Sequence, residues 1–173
     1  MKVFATFLLL ALALCCMAQP KAIAPELSGS TWINLGDRKP ITLASRKGKV
    51  TILHFWTFAC SNCHANLAAY ERLYAKYRST GVEMIGIHTP ELEIEKDEKK
   101  VAEAVKKWKM SYPVLIDEKG ANWKSWRQSV WPTVYVIDQN GEVAYYWVGE
   151  LAWKGAKGEE ELMRVVDALL KSK

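Results

Sequence analysis

The sequence predicts an α/β fold: a central mixed β-sheet flanked by helices on both faces. Three observations lead there. Residues 50–58 and 82–88 are near-continuous apolar runs rich in β-branched and aromatic side chains, which suits strands buried on both faces. Between them Leu67, Tyr70, Leu73, Tyr74 and Tyr77 recur at helical spacing and stop at Gly81. Further on, Asn140-Gly141 is a hairpin signal joining residues 133–137 to residues 143–148. The order βαβαβ followed by ββα gives parallel strands through crossovers and antiparallel ones through the hairpin.

Residues 1–18 read as a secretory signal peptide. Lys2 supplies the positive start, residues 3–14 are apolar apart from Thr6, and Cys16-Met17-Ala18 offers small residues for cleavage before Gln19. The apolar run is shorter than the roughly 20 residues a spanning helix needs. A lipoprotein signal ending at Cys15 or Cys16, giving a lipid-anchored form, is the alternative. No second apolar run follows, so the mature chain is expected to lack a transmembrane segment. Residues 19–30, with Pro20 and Pro25, read as a flexible lead-in, and residues 31–173 as one domain.

Along that domain, Trp32-Ile33-Asn34 and Pro40-Ile41-Thr42-Leu43 are expected as short edge strands around the Gly36-Asp37 turn, an N-terminal strand extension. Residues 93–109 are expected as one helix with Ile94, Val101, Val105 and Trp108 on its apolar stripe. Within it, Glu95-Lys96-Asp97-Glu98-Lys99-Lys100 reads as a solvated charged face. Val114-Leu115-Ile116 is a third strand, followed by a turn over 117–120 and a short helix over 121–127. Trp131-Pro132 leads into the hairpin. Leu162, Val165, Val166, Leu169 and Leu170 mark a final amphipathic helix.

Charge excludes one function class. Without Lys2, 23 basic and 19 acidic residues give a net charge of +4, and the two signs are interspersed. That is not a nucleic-acid footprint. Cysteine usage points elsewhere. Signal cleavage leaves only Cys60 and Cys63, and a bridge across two intervening residues closes too little chain to stabilise a fold. Redox chemistry is its better use.

The placement of the pair supports that use. Cys60-Ser61-Asn62-Cys63 lies where an apolar strand runs straight into a helix. Unpaired N–H groups and the dipole at a helix N-terminus favour thiolate over thiol. In such motifs the thiol pKa can fall to roughly 3.5–7 from about 8.5. The second cysteine, one turn later, can close a short disulfide and release an attacked partner.

The runs FWTFACSNC, GIHTPE, YPVLID and WPT resemble the thioredoxin superfamily, in particular exported TlpA-type thiol–disulfide oxidoreductases and the thioredoxin-like domain of DipZ-type proteins. The similarity extends from about Leu27 to the C-terminal helix. It implies a thioredoxin fold, with Cys60 as nucleophile, Cys63 as resolving thiol and Pro132 as a cis-proline facing the disulfide. It also implies protein thiols and disulfides as partners, a membrane thiol donor, a periplasmic setting and no cofactor beyond the redox-active disulfide. Trp56 and Trp131 are expected to flank the pair, and Ser61 and Asn62, like Pro132, to shape the site or meet substrate. Two departures stand out. His54 occupies the place of a buried aspartate, as a core residue or a proton-transfer group with an ordinary pKa near 6.5. Asn66 and Ala68 stand where TlpA-type proteins often carry Glu and Pro.

Three other readings compete. Thr57-x-x-Cys60 echoes peroxiredoxins, an antioxidant thiol peroxidase activity, although Leu53 replaces the expected proline. Cys60-Ser61-Asn62-Cys63-His64 matches the CxxCH pattern of covalent c-type haem attachment. A metal site on Cys60, Cys63 and His64, with His88, is the non-enzymatic alternative, though thin in ligands.

Overall fold

The computed structural model describes residues 22–172. The expected signal peptide and its lipid-anchored alternative lie outside the described residues. One sheet contains β1 (Trp32–Ile33), β2 (Thr51–Trp56), β3 (Glu83–His88), β4 (Val114–Ile116), β5 (Thr133–Ile137) and β6 (Val143–Val148), in the spatial order β1-β4-β3-β2-β5-β6. β2, β3 and β4 are parallel, while β5 pairs antiparallel with β2, β6 with β5, and β1 with β4. The helices are α1 (Ser61–Tyr77), α2 (Glu98–Lys107), α3 (Ala121–Ser125) and α4 (Gly158–Lys171).

Side-chain alternation along the central strand sorts the core into two layers. Ile52 and Trp56 of β2 pack with Tyr70 and Leu73 of α1 and with Leu162 and Val166 of α4. Leu53 and Phe55 pack on the other face with Ile85, Ile87, Ile41, Leu43 and Trp126. Gly86 of β3 is required by this packing. A Cβ there would stand 3.0 Å from Trp56 Nε1 and 3.1 Å from His54 Nε2, so any larger residue would push both rings away.

Three sequence expectations change. Residues 40–43 form no strand; Ile41 and Leu43 are buried from a loop that ends in a 3-10 turn, Ala44–Arg46. From residue 22 the expected lead-in makes definite contacts. Ile23 bridges to Glu142, and the Glu26 carboxylate accepts from the Leu43 and Ala44 amides at 2.6 and 2.9 Å. The helix expected over 93–109 is two pieces, a 3-10 turn (Glu93–Lys96) and α2. Asp97 separates them: its extended backbone breaks the helix, and its side chain caps α2 by accepting from Lys99 N–H at 2.9 Å. Ile94 is consequently half exposed rather than on the buried stripe.

Candidate active site

β2 ends at Trp56, and residues 57–60 turn the chain into α1. Cys60 is the N-cap of α1, with extended backbone at φ −86° and ψ 109°. Its sulfur accepts from Cys63 N–H at 3.2 Å, taking one of the amides left unpaired at a helix start. Cys60 is half-buried and Cys63 is 1% exposed; both are free thiols. Burial pushes the Cys63 thiol well above its ordinary range, and its hydrogen bond to the Cys60 side chain adds to that, while the Thr57 backbone amide pulls it down. Access therefore separates the two sulfurs, one half-buried and one enclosed.

Trp56 belongs to the core layer that contains Cys63, and Cys60 and Trp131 pack against that layer. Trp56 packs on His88 and Trp108, with ring centroids 4.9 and 5.6 Å away. Trp131 stacks on Trp123 at 3.9 Å, and the Trp131–Pro132 peptide is cis. The Pro132 carbonyl accepts from Gly149 N–H at 2.8 Å. Ser61 and Asn62 are exposed. Asn62 borders a hollow of about 340 Å³ with Trp147, Val148, Gly149, Glu150 and Trp153.

His54 is fully buried between Tyr70 and Tyr112, its Nε2 3.1 Å from the Tyr112 hydroxyl. Burial lowers its pKa to about 3, so it is neutral over the ordinary pH range. His64 is exposed and packs edge-on to Trp108 at 5.1 Å. Among the described residues no group of three or more His, Cys, Asp or Glu side chains is arranged to hold a metal ion.

Two residues to which the sequence reading gave no bracing role hold the site together. Glu95, read as part of a solvated face, is fully buried. One carboxylate oxygen accepts from the Thr57 hydroxyl and from Ala59 N–H at 2.7 Å. The other accepts from Glu91 and Leu92 N–H at 2.9 and 2.8 Å. Burial alone would raise its pKa, but these four hydrogen bonds outweigh that and hold it below the ordinary carboxylate value. The Thr57 hydroxyl also lies 3.5 Å from His88 Nε2, and burial lowers the His88 pKa to about 4. Asn66 is the second. Its amide donates to the Gly149 carbonyl at 3.0 Å and the Tyr70 hydroxyl at 3.2 Å, and its oxygen accepts from Leu151 N–H at 2.8 Å. A usable signal for Glu95 was its position three residues after Leu92, from which a carboxylate reaches back to the amide at a helix start.

Known proteins resemble this chain along most of its length. Protein DipZ of Mycobacterium bovis (strain ATCC BAA-935 / AF2122/97) is 38% identical over 128 residues, covering 73% of this chain and 18% of DipZ. Thiol-disulfide oxidoreductase ResA of Bacillus thuringiensis subsp. konkukian (strain 97-27) is 34% identical over 112 residues, covering 65% of this chain and 62% of ResA. The chain thus spans under a fifth of DipZ and less than two thirds of ResA. A crystal structure of a thiol:disulfide interchange protein of the thioredoxin family from Chlorobium tepidum TLS superposes with a TM-score of 0.63 at 25% identity, over 88% of this chain and 99% of that one. The fold is that of thioredoxin, and the resemblance to TlpA- and DipZ-type proteins read from the motifs holds, with DipZ matched over 73% of this chain. With the AhpC/TSA family model matching residues 20–146, the chain belongs to that family.

Proposed function

We propose that this protein is an exported thiol–disulfide oxidoreductase acting on protein thiols and disulfides through Cys60 and Cys63. The observation that carries this reading is the helix-capping geometry, an accessible sulfur at the N-cap of α1 with an enclosed one a turn behind it. In the reducing direction the Cys60 thiolate attacks a substrate disulfide, forming a mixed disulfide and expelling one substrate thiolate. Cys63 then attacks the Cys60 sulfur, closing the Cys60–Cys63 bond and releasing the second substrate thiol. Two electrons pass from the thiol pair to the substrate, and a membrane thiol donor would restore them. We assign Trp131, Ser61 and Asn62 to the surface facing the substrate, Pro132, itself buried, to the loop that shapes that surface, Trp56 to the wall behind Cys63, and His54 to core packing. The reading requires no cofactor.

The family's name keeps a thiol peroxidase as the second reading, because Thr57 precedes Cys60 at the spacing noted above. Against it, Thr57 is fully buried and its hydroxyl is committed to Glu95. A peroxide at Cys60 would not meet that hydroxyl. Covalent haem fits less well, since it needs both sulfurs at a surface and Cys63 is enclosed. The test is trapping. Cys63→Ala should accumulate mixed disulfides with thiol-bearing proteins on non-reducing gels, and Cys60→Ala should form none. Efficient peroxide turnover by Cys63→Ala without trapped partners would favour the peroxidase.

A further inference from the structure

The turn that carries Cys60 does not hold itself in place. Its backbone polar groups serve the sulfur pair: the Thr57 carbonyl accepts from Cys60 N–H at 3.4 Å, and the Thr57 amide favours the Cys63 thiolate. What fixes Thr57 and Ala59 comes from another part of the chain. Glu95, 38 positions beyond Thr57, clamps the Thr57 hydroxyl and the Ala59 amide with one oxygen. With the other it is anchored to the amides of Glu91 and Leu92. All four donors converge on a side chain with no solvent exposure. A fully buried anion is costly unless its oxygens are satisfied, and here both are.

We propose that Glu95 is a positioning residue for the resolving step, holding through Thr57 and Ala59 the turn between β2 and α1 that seats Cys60 at the helix cap, within reach of Cys63. The inference rests on the thiol–disulfide exchange reading. In the step concerned, the Cys63 thiol gives up its proton to solvent and its sulfur attacks the Cys60 sulfur of the mixed disulfide. The Cys60–Cys63 bond forms as the Cys60–substrate bond breaks, and the substrate sulfur leaves as a thiolate that takes up a proton. The enclosed sulfur must become a thiolate here; burial opposes that, and so, to a smaller extent, does the Glu95 charge, so Glu95 serves this step through its hold on the turn and not through its charge. A displaced Thr57 amide removes one of the groups that help it. The first attack, by the more accessible Cys60, depends on this less.

The experiment measures the two steps separately on the reduced full-length chain with an aromatic disulfide of small size, whose released thiolate is coloured. Glu95→Gln keeps the size and removes the charge and two acceptor lone pairs. We expect the first release of thiolate to stay within about threefold of the parent and the second, intramolecular release to slow about tenfold. Thr57→Val, which keeps shape and loses the hydroxyl, should reproduce the split, and Thr57→Ser should restore it. Thr57→Val also covers the case in which Glu95→Gln does not fold. Equal slowing of both steps, or no slowing of the second in either variant, overturns the proposal. A parent protein that releases no thiolate at all overturns the exchange reading instead.

Discussion

Two buried polar side chains brace the thiol pair on different flanks, and they differ in charge. Asn66 ties α1 to residues 149–151 through a neutral amide, with Tyr70 and behind it His54 in the same network. Glu95 ties the turn before α1 to residues 91–92 through a carboxylate, with Thr57 and His88 in its network. Both side chains answer the same need, since turns packed into a core leave backbone groups that water cannot reach. The neutral brace supplies only geometry. The anionic one also places a negative charge near the enclosed sulfur, where it adds to the factors holding that thiol protonated.

The largest way to break the comparison is to delete each brace. Glu95→Ala leaves the Thr57 hydroxyl and three amides without an acceptor, and should cost about 3–5 kcal/mol of folding stability. Asn66→Ala orphans the Leu151 amide and the Gly149 carbonyl, and should cost about 1–3 kcal/mol. Both are read as shifts of the urea midpoint at constant slope. Equal losses would mean that the charge adds nothing to the Glu95 network beyond its hydrogen bonds.

The sheet and the cysteine pair were legible in the sequence because each leaves a local mark. β2 and β3 are near-continuous apolar runs, the hairpin carries Asn-Gly, and the motif sits where a strand gives way to helical spacing. Neither brace leaves such a mark. Glu95 lies in a stretch of alternating charges whose other members are mostly solvated, and its spacing from Leu92 is the one local hint of which acid turns inward. That choice is made by donors at residues 57 and 59, far away in the chain. The helix expected over 93–109 hid it further, because the apolar stripe ran through Ile94. Asp97 as an N-cap ahead of Glu98 was the available clue to the break. Asn66 was visible only as a departure from a family pattern, with no sign of what it would hold.

Each network should weaken in acid through its histidine. His54 and His88 are buried neutral, with pKa values lowered to about 3 and about 4. Above their unfolded value near 6.5 neither costs anything. Below it the unfolded chain takes up protons that the folded chain refuses, so stability falls as pH drops, and His54 stops contributing only near pH 3. At pH 5 each histidine should account for about 2 kcal/mol of lost stability relative to pH 7. Replacing His54 by Phe should therefore flatten the stability profile between pH 7 and 5 by about that amount, whatever its effect at pH 7. An unchanged slope would mean that His54 takes up a proton in the folded protein.

An exposed counterpart makes the smallest test. Arg72 of α1 grips Glu159 of α4 with both oxygens engaged, at 2.8 and 2.5 Å, yet its side chain is 59% exposed. Water competes for both partners, and ordering two long side chains offsets much of the attraction. Arg72→Ala should cost under about 1 kcal/mol, and the loss should shrink as salt rises toward 1 M, where screening acts within about 3 Å. The cost of Asn66→Ala, on the same helix but fully enclosed, should be insensitive to salt. A large, salt-independent loss at Arg72 would make the packing of its stem against α4, rather than its charge, the tie between the two helices.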